Sequence, residues 1–141
     1  MTELIDLLKE KHLKVTPQRL AIFTMLFTTN THPDAETVYK TLKPHNPSLS
    51  LATVYKTLDS LRAAALLQEL NVGEGRFRYD ANCDHHPHFI CRQCTRVYDV
   101  PELPGLKSLR TQAAKSLNAN IDREQLFFYG TCNACGAAQK A

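Results

Sequence analysis

Two Cys-x-x-Cys pairs, Cys91–Cys94 and Cys132–Cys135, constrain this 141-residue chain more than any other feature. Four thiols at paired spacing suit one closed tetrahedral Zn²⁺ site of the structural kind. Residues 95–131 separate the pairs, a gap longer than the roughly 15–20 residues of common zinc ribbons. The fold itself therefore has to carry the pairs together, for which adjacent strands suffice. Gly136, directly after Cys135, suggests a zinc-knuckle turn. Coordination would supply on the order of 10 kcal/mol of folding free energy to a small core. A thioredoxin-like redox pair is the rival reading, but no βαβ pattern surrounds either pair. Cys83 is left over and reads as a spectator thiol.

The length fits one domain or two small ones. A hydrophobic fraction of 43% is ordinary for a globular protein and too high for a disordered one. No apolar run approaches the roughly 20 residues that span a bilayer, and the amphipathic N-terminus lacks a signal-peptide pattern. A cytoplasmic location is expected, where thiols stay reduced. The net charge of +3 says little, since residues 1–80 hold ten Lys/Arg against nine Asp/Glu. Any case for nucleic acid rests on where the basic residues fall.

Along the chain, Leu4, Ile5, Leu7 and Leu8 give a first helical stripe. Thr16 caps a second helix with Pro17 at its first position, and Leu20, Phe23 and Phe27 form its apolar face, flanked by Ile22 and Leu26. Asp34 caps a third helix to about Leu42, and Pro44 and Pro47 bracket a turn. Ser50 caps a fourth, in which Val54, Leu58, Leu61 and Ala65 make one buried face. Its outer face carries Ala52, Thr53, Lys56, Ser60 and Ala63, with Tyr55 on the flank. Small side chains and a few donors suit entry into a major groove, although a solvated helix face looks the same. A hairpin follows: Leu66–Val72, the turn Gly73-Glu74-Gly75, then Arg76–Asp80. Phe77 and Tyr79 alternate with Arg76 and Arg78. Helices followed by a two-stranded ribbon make a winged-helix plan, and the two arginines are candidates for phosphate or the minor groove. A solvated strand face is the alternative.

The expected fold class is α+β: an N-terminal winged helix-turn-helix DNA-binding domain over residues 1–80, a hinge over 81–87, and a small α/β dimerisation and zinc-binding domain over 88–141. In the last part, Phe89-Ile90, Arg96–Val100 and Leu126–Tyr129 read as strands. Leu106, Leu109, Ala113 and Leu117 stripe a helix. This segment is too small for a good solitary core and calls for zinc and a partner subunit. The run Asp84-His85-His86-Pro87-His88 places the imidazoles of His86 and His88 on one side of an extended segment, chemistry that suits a harder metal than zinc.

At this point Thr16-Pro17-Gln18-Arg19, His32-Pro33, Ser50-Leu51-Ala52-Thr53-Val54-Tyr55, His86-x-His88-x-x-Cys91-x-x-Cys94 and Tyr129-Gly130-x-Cys132-x-x-Cys135 together resemble the ferric uptake regulator (Fur) family, in order and spacing over nearly the whole chain. Within that family the chain is most similar to the peroxide-responsive repressors. The resemblance implies a regulatory metal site on His32, Asp80, His86, His88 and Asp99. Iron sensors of the family commonly carry Glu at the positions of Asp80 and Asp99, so the two aspartates favour peroxide sensing. Three imidazoles and two carboxylates suit Fe²⁺ or Mn²⁺. The resemblance further implies that peroxide reacts at bound iron and oxidises His32 or His86, and that a homodimer binds operator DNA only while the metal holds its shape. His85 matches no ligand.

For DNA, the resemblance assigns Tyr55 to thymine methyls, with Ser50, Thr53 and Lys56 nearby, and Lys14 and Arg19 to phosphates; Arg76 and Arg78 remain wing candidates. A third metal site occurs in some members of the family. Here Pro87 stands where Asp is usual and Leu106 where Glu is common, leaving Glu124. Three other functions compete with this one: an iron-responsive repressor without histidine oxidation, a zinc hydrolase built on the histidines, and a zinc-ribbon adaptor without DNA. No H-E-x-x-H motif supports the hydrolase, and the adaptor leaves the winged-helix pattern unexplained.

Overall fold

A computed structural model describes residues 1–73, 75–83, 86–101 and 103–137, and the backbone of 138–140. Glu74 of the hairpin turn, and Asp84 and His85 of the histidine run, lie outside the described residues. The chain forms two compact units, Met1–Cys83 and Asp84–Ala141.

The first unit runs α1 (Thr2–Glu10), α2 (Pro17–Thr28), α3 (Ala35–Leu42), a 3₁₀ turn (Lys43–His45), α4 (Leu51–Ala63), β1 (Gln68–Asn71) and β2 (Phe77–Asp80). The three expected caps form. Thr16 Oγ1 accepts from Arg19 N at 3.1 Å, Asp34 Oδ1 from Thr37 N at 2.8 Å, and Ser50 Oγ from Thr53 N at 3.1 Å. Each satisfies an amide that the first helical turn leaves without a partner. The core gathers Leu4, Leu8, Phe23, Val38, Val54 and Leu58 among others. Two expectations about faces are corrected. On α2 the buried residues are Ile22, Phe23 and Leu26, while Phe27 is 46% exposed. A helix wedged between neighbours on more than one side buries a wider arc than a single stripe predicts. On α4 the buried set is Val54, Thr57, Leu58 and Leu61. Ala65 lies beyond the end of the helix, exposed and left-handed at φ 60°.

β1 and β2 pair antiparallel, Gln68 opposite Asp80 and Asn71 opposite Phe77. Gly73 and Gly75 have φ of 85° and 76°, which a side chain would strain. Phe77 and Tyr79 share one face of β2, and along it Tyr79 is buried while Phe77, nearer the turn, is exposed.

The second unit runs β3 (His88–Cys91), β4 (Val97–Asp99), α5 (Leu106–Leu117), β5 (Phe127–Gly130) and α6 (Asn133–Lys140). Its sheet has the order β4-β3-β5, antiparallel on one side of β3 and parallel on the other. α5 buries none of its residues within the single chain; Leu109 is 57% and Leu117 74% exposed. The expected knuckle turn at Gly136 is a helix instead, with Gly136 N donating to Cys132 O at 2.8 Å. Among the described residues no helix is long and apolar enough to cross a membrane.

Candidate metal centres

The parallel pairing of β3 with β5 places Cys91 opposite Gly130. Both strands therefore run out at the same edge of the sheet. Cys94 follows in the turn after β3, and Cys132 and Cys135 follow β5 into the first turn of α6. One ligand atom from each of the four cysteines lies within 4.8 Å of the others. Cys94 Sγ and Cys132 Sγ stand 3.8 Å apart, and sulfurs bound at about 2.3 Å around a tetrahedral zinc are separated by roughly that distance. The amides of Cys94 and Cys132 point at Cys91 Sγ, at 3.5 and 3.3 Å. These donors pull the Cys91 thiol down to about 6. Cys132 is lowered by the Cys135 amide and the Tyr98 hydroxyl. Cys135 is pushed up to about 12, because its proton is shared with Cys132 and it is desolvated. Shifts of opposite direction within one cluster mark thiols that hydrogen-bond to each other at close range. The donor set fits Zn²⁺. Tyr98 escaped the sequence reading; its only signal was β4 alternation, which sets it on the face opposite Asp99.

Each unit brings histidine and aspartate donors together. In the first, His32 Nε2 lies 3.3 Å from Asp80 Oδ2, and both residues are buried. His32 adopts φ 53°, a left-handed conformation costing on the order of 1–3 kcal/mol for a residue with a side chain. The loop that carries it is hydrogen-bonded to β2. Tyr79 N donates to Pro33 O at 3.0 Å, and the Arg78 guanidinium donates to the carbonyls of Thr31 and His32.

In the second unit, His86 Nε2 and His88 Nε2 approach the same oxygen, Asp99 Oδ1, at 2.8 and 3.3 Å. The register pairs His88 with Asp99 across β3 and β4. His86, two residues earlier, lies on the same side, with 4.4 Å between the two ring centroids. Imidazole nitrogens converging on carboxylate oxygens form a donor set for a borderline or hard divalent ion. For the third site, Glu124 Oε2 accepts from both Nε and Nη2 of Arg110 at 2.5 Å, and Pro87 is fully buried.

A model of the ferric uptake regulator family matches residues 10–129. The chain belongs to that family. It is 44% identical to the transcriptional regulator PerR of Clostridium acetobutylicum, over 96% of this chain and 97% of that one. Among solved structures, the Campylobacter jejuni peroxide stress regulator superposes with a TM-score of 0.75 at 31% identity, covering 94% of this chain and 98% of that one. The Helicobacter pylori ferric uptake regulator Fur, described as having three functional metal-binding sites, shares the fold at a TM-score of 0.78 and 22% identity, over 96% and 90% of the two chains.

Against this family background the residues expected to meet DNA fall as follows. Tyr55 and Lys56 are exposed on α4, and Ser50 and Thr53 are tied to each other at its N-terminus, Oγ to Oγ1 at 2.8 Å. Arg19 Nη1 donates to the carbonyl of Lys14 at 2.5 Å, which ties these two candidates together. Arg76 Nε pairs with Asp34 Oδ2 at 3.0 Å. Burial pushes the Asp34 carboxyl up, but hydrogen bonds from Thr37 and the charges of Arg76 and Arg78 outweigh it and hold the group below its ordinary range. Asp34 thus combines two roles, helix cap and arginine partner, and only the first was legible.

Proposed function

We propose that this chain is a metal-dependent, dimeric, DNA-binding transcriptional repressor that senses hydrogen peroxide through oxidation of its own histidine ligands. The observation that carries the reading is the convergence of His86 Nε2 and His88 Nε2 on Asp99 Oδ1, with His32 set against Asp80 in the other unit. In this reading Cys91, Cys94, Cys132 and Cys135 hold a structural Zn²⁺. His32, Asp80, His86, His88 and Asp99 hold a regulatory Fe²⁺ or Mn²⁺, as the family resemblance implies. Fe²⁺ held by these donors would supply the redox chemistry for reducing peroxide, and Mn²⁺ would hold the same donors without it. Over the whole reaction H₂O₂ would oxidise one imidazole C–H, of His32 or His86, by two electrons: one peroxide oxygen would end on the ring and the other would leave as water. The protein is consumed as a reagent, so it is not an enzyme.

His32 and Asp80 come from the winged helix, His86, His88 and Asp99 from beyond the hinge. As the family resemblance implies, an ion held by all five residues would make operator binding depend on each of them. The exposed Leu109 and Leu117 of α5 are apolar surface of the kind a partner subunit buries. Operator contact falls to Tyr55, Ser50, Thr53 and Lys56, with Lys14 and Arg19 on phosphates, in the cytoplasm, where the thiols stay reduced.

Mass spectrometry of the Fe²⁺ and Mn²⁺ forms after peroxide exposure tests this. Gain of one oxygen on His32 or His86 with iron only is expected. Unmodified histidines in the iron form would refute peroxide sensing and leave an iron-responsive repressor.

A further inference from the structure

Arg78 was expected on the DNA face of the wing, yet its guanidinium turns back onto its own unit. Nε donates to the carbonyl of His32, and Nη2 to the carbonyl of Thr31 at 3.1 Å. The backbone repeats the attachment: Arg78 bridges Asp34, and the neighbouring Tyr79 N donates to Pro33 O at 3.0 Å. Loop 31–34 is thereby fastened along the strand that ends in Asp80. Within that loop sits His32, buried, left-handed at φ 53°, its Nε2 3.3 Å from Asp80 Oδ2. No helix or sheet ladder fixes the residue there. What meets its two flanking carbonyls is a planar fork, the shape that arginine presents.

We propose that Arg78 is a positioning residue of the regulatory site: its guanidinium fixes the carbonyls of Thr31 and His32, and so keeps the left-handed His32 aimed at Asp80. The proposal rests on the reading of His32 and Asp80 as metal ligands. It removes Arg78 from the DNA contacts and makes one strand, β2, responsible for both the His32 loop and Asp80. Loss of the fork leaves His32 free to relax to an ordinary backbone conformation. The ion then has to bind against that relaxation, and partners behind a metal ligand are typically worth about 10–100-fold in affinity.

The test uses the full-length chain with its zinc in place and compares Arg78→Lys, Arg78→Gln and His32→Ala with the parent. Lysine keeps the charge that a phosphate contact needs but cannot span two carbonyls. Amide hydrogen exchange is measured before any Mn²⁺ is added, and Mn²⁺ affinity by titration of the free ion. Both Arg78 variants are expected to exchange faster at Thr31, His32, Asp34 and Tyr79, with amides of the second unit unchanged, and to bind Mn²⁺ about tenfold more weakly or worse. Parental exchange in Arg78→Lys, or parental Mn²⁺ affinity in Arg78→Lys while His32→Ala is weakened, overturns the positioning role. Parental Mn²⁺ affinity in His32→Ala instead overturns the ligand reading on which it rests. A salt slope for duplex DNA that falls by about one in Arg78→Gln, with exchange and Mn²⁺ affinity unchanged, returns Arg78 to the phosphates.

Discussion

Replacing Cys132 by serine should unfold the second unit and leave the first intact. Within the second unit the buried apolar side chains among the described residues reduce to Ile90 and Val97, beside Pro87 and the cysteines Cys91 and Cys132. Burying an aliphatic side chain of this size contributes about 1.5–3 kcal/mol, so the two supply about 3–6 kcal/mol. A structural zinc contributes about 10–16 kcal/mol. By this measure a zinc would contribute more than both buried aliphatic side chains together. The first unit stands differently, with a continuous core from Leu4 to Tyr79 that contains no cysteine. Amide correlation spectra of the Cys132→Ser chain should keep dispersed resonances for residues of α1 to β2 and lose them for Phe89, Tyr98 and Phe127 to Tyr129. Chelation under reducing conditions should do the same to the parent, with metal content measured alongside. A chain stripped of zinc whose second unit keeps its dispersed resonances would refute the reasoning, because the small core would then suffice.

Two further outcomes are expected. Tyr79 is held up to about 12, first by burial and then by the Glu69 carboxylate, against an ordinary value of 10.0. A folded value above the unfolded one contributes stability that is present below pH 10 and lost as pH rises through about 12. Unfolding titrations over that window should show a loss of about 2 kcal/mol that Tyr79→Phe does not share. On DNA, Lys56→Ala should weaken binding across sequences and flatten the salt slope, whereas Tyr55→Ala should relax sequence preference with the slope unchanged. Filter-binding or anisotropy titrations at several salt concentrations against specific and scrambled duplexes separate the two.

The helix starts were legible because capping is local: Thr16, Asp34 and Ser50 each satisfy an amide three residues on, and nothing distant is required. The donor residues were legible for a related reason, since Cys-x-x-Cys and His-x-His declare their chemistry within a few positions. Faces were less legible. Phe27 and Ala65 fit a stripe by spacing and lie outside the core, because periodicity gives a direction without saying how wide the neighbouring wall is or where the helix stops. Leu109 and Leu117 fit a stripe and stay exposed in the single chain, since what a helix face packs against is a property of the assembly. Arg76 and Arg78 alternate with Phe77 and Tyr79 as expected, but alternation does not reveal that Asp34 and the Thr31 and His32 carbonyls wait on that side.

By itself, then, the sequence determined the candidate donor residues, the caps, the order of helices and strands, and the family. Tertiary structure alone decided which segments meet. Parallel registry of β3 with β5 sets two distant cysteine pairs at one edge of a sheet. Arg78 folds back to hold the loop that carries His32. Both depend on hydrogen bonds between residues dozens of positions apart, whose partners are chosen by the packing of the whole unit and leave no trace in local spacing.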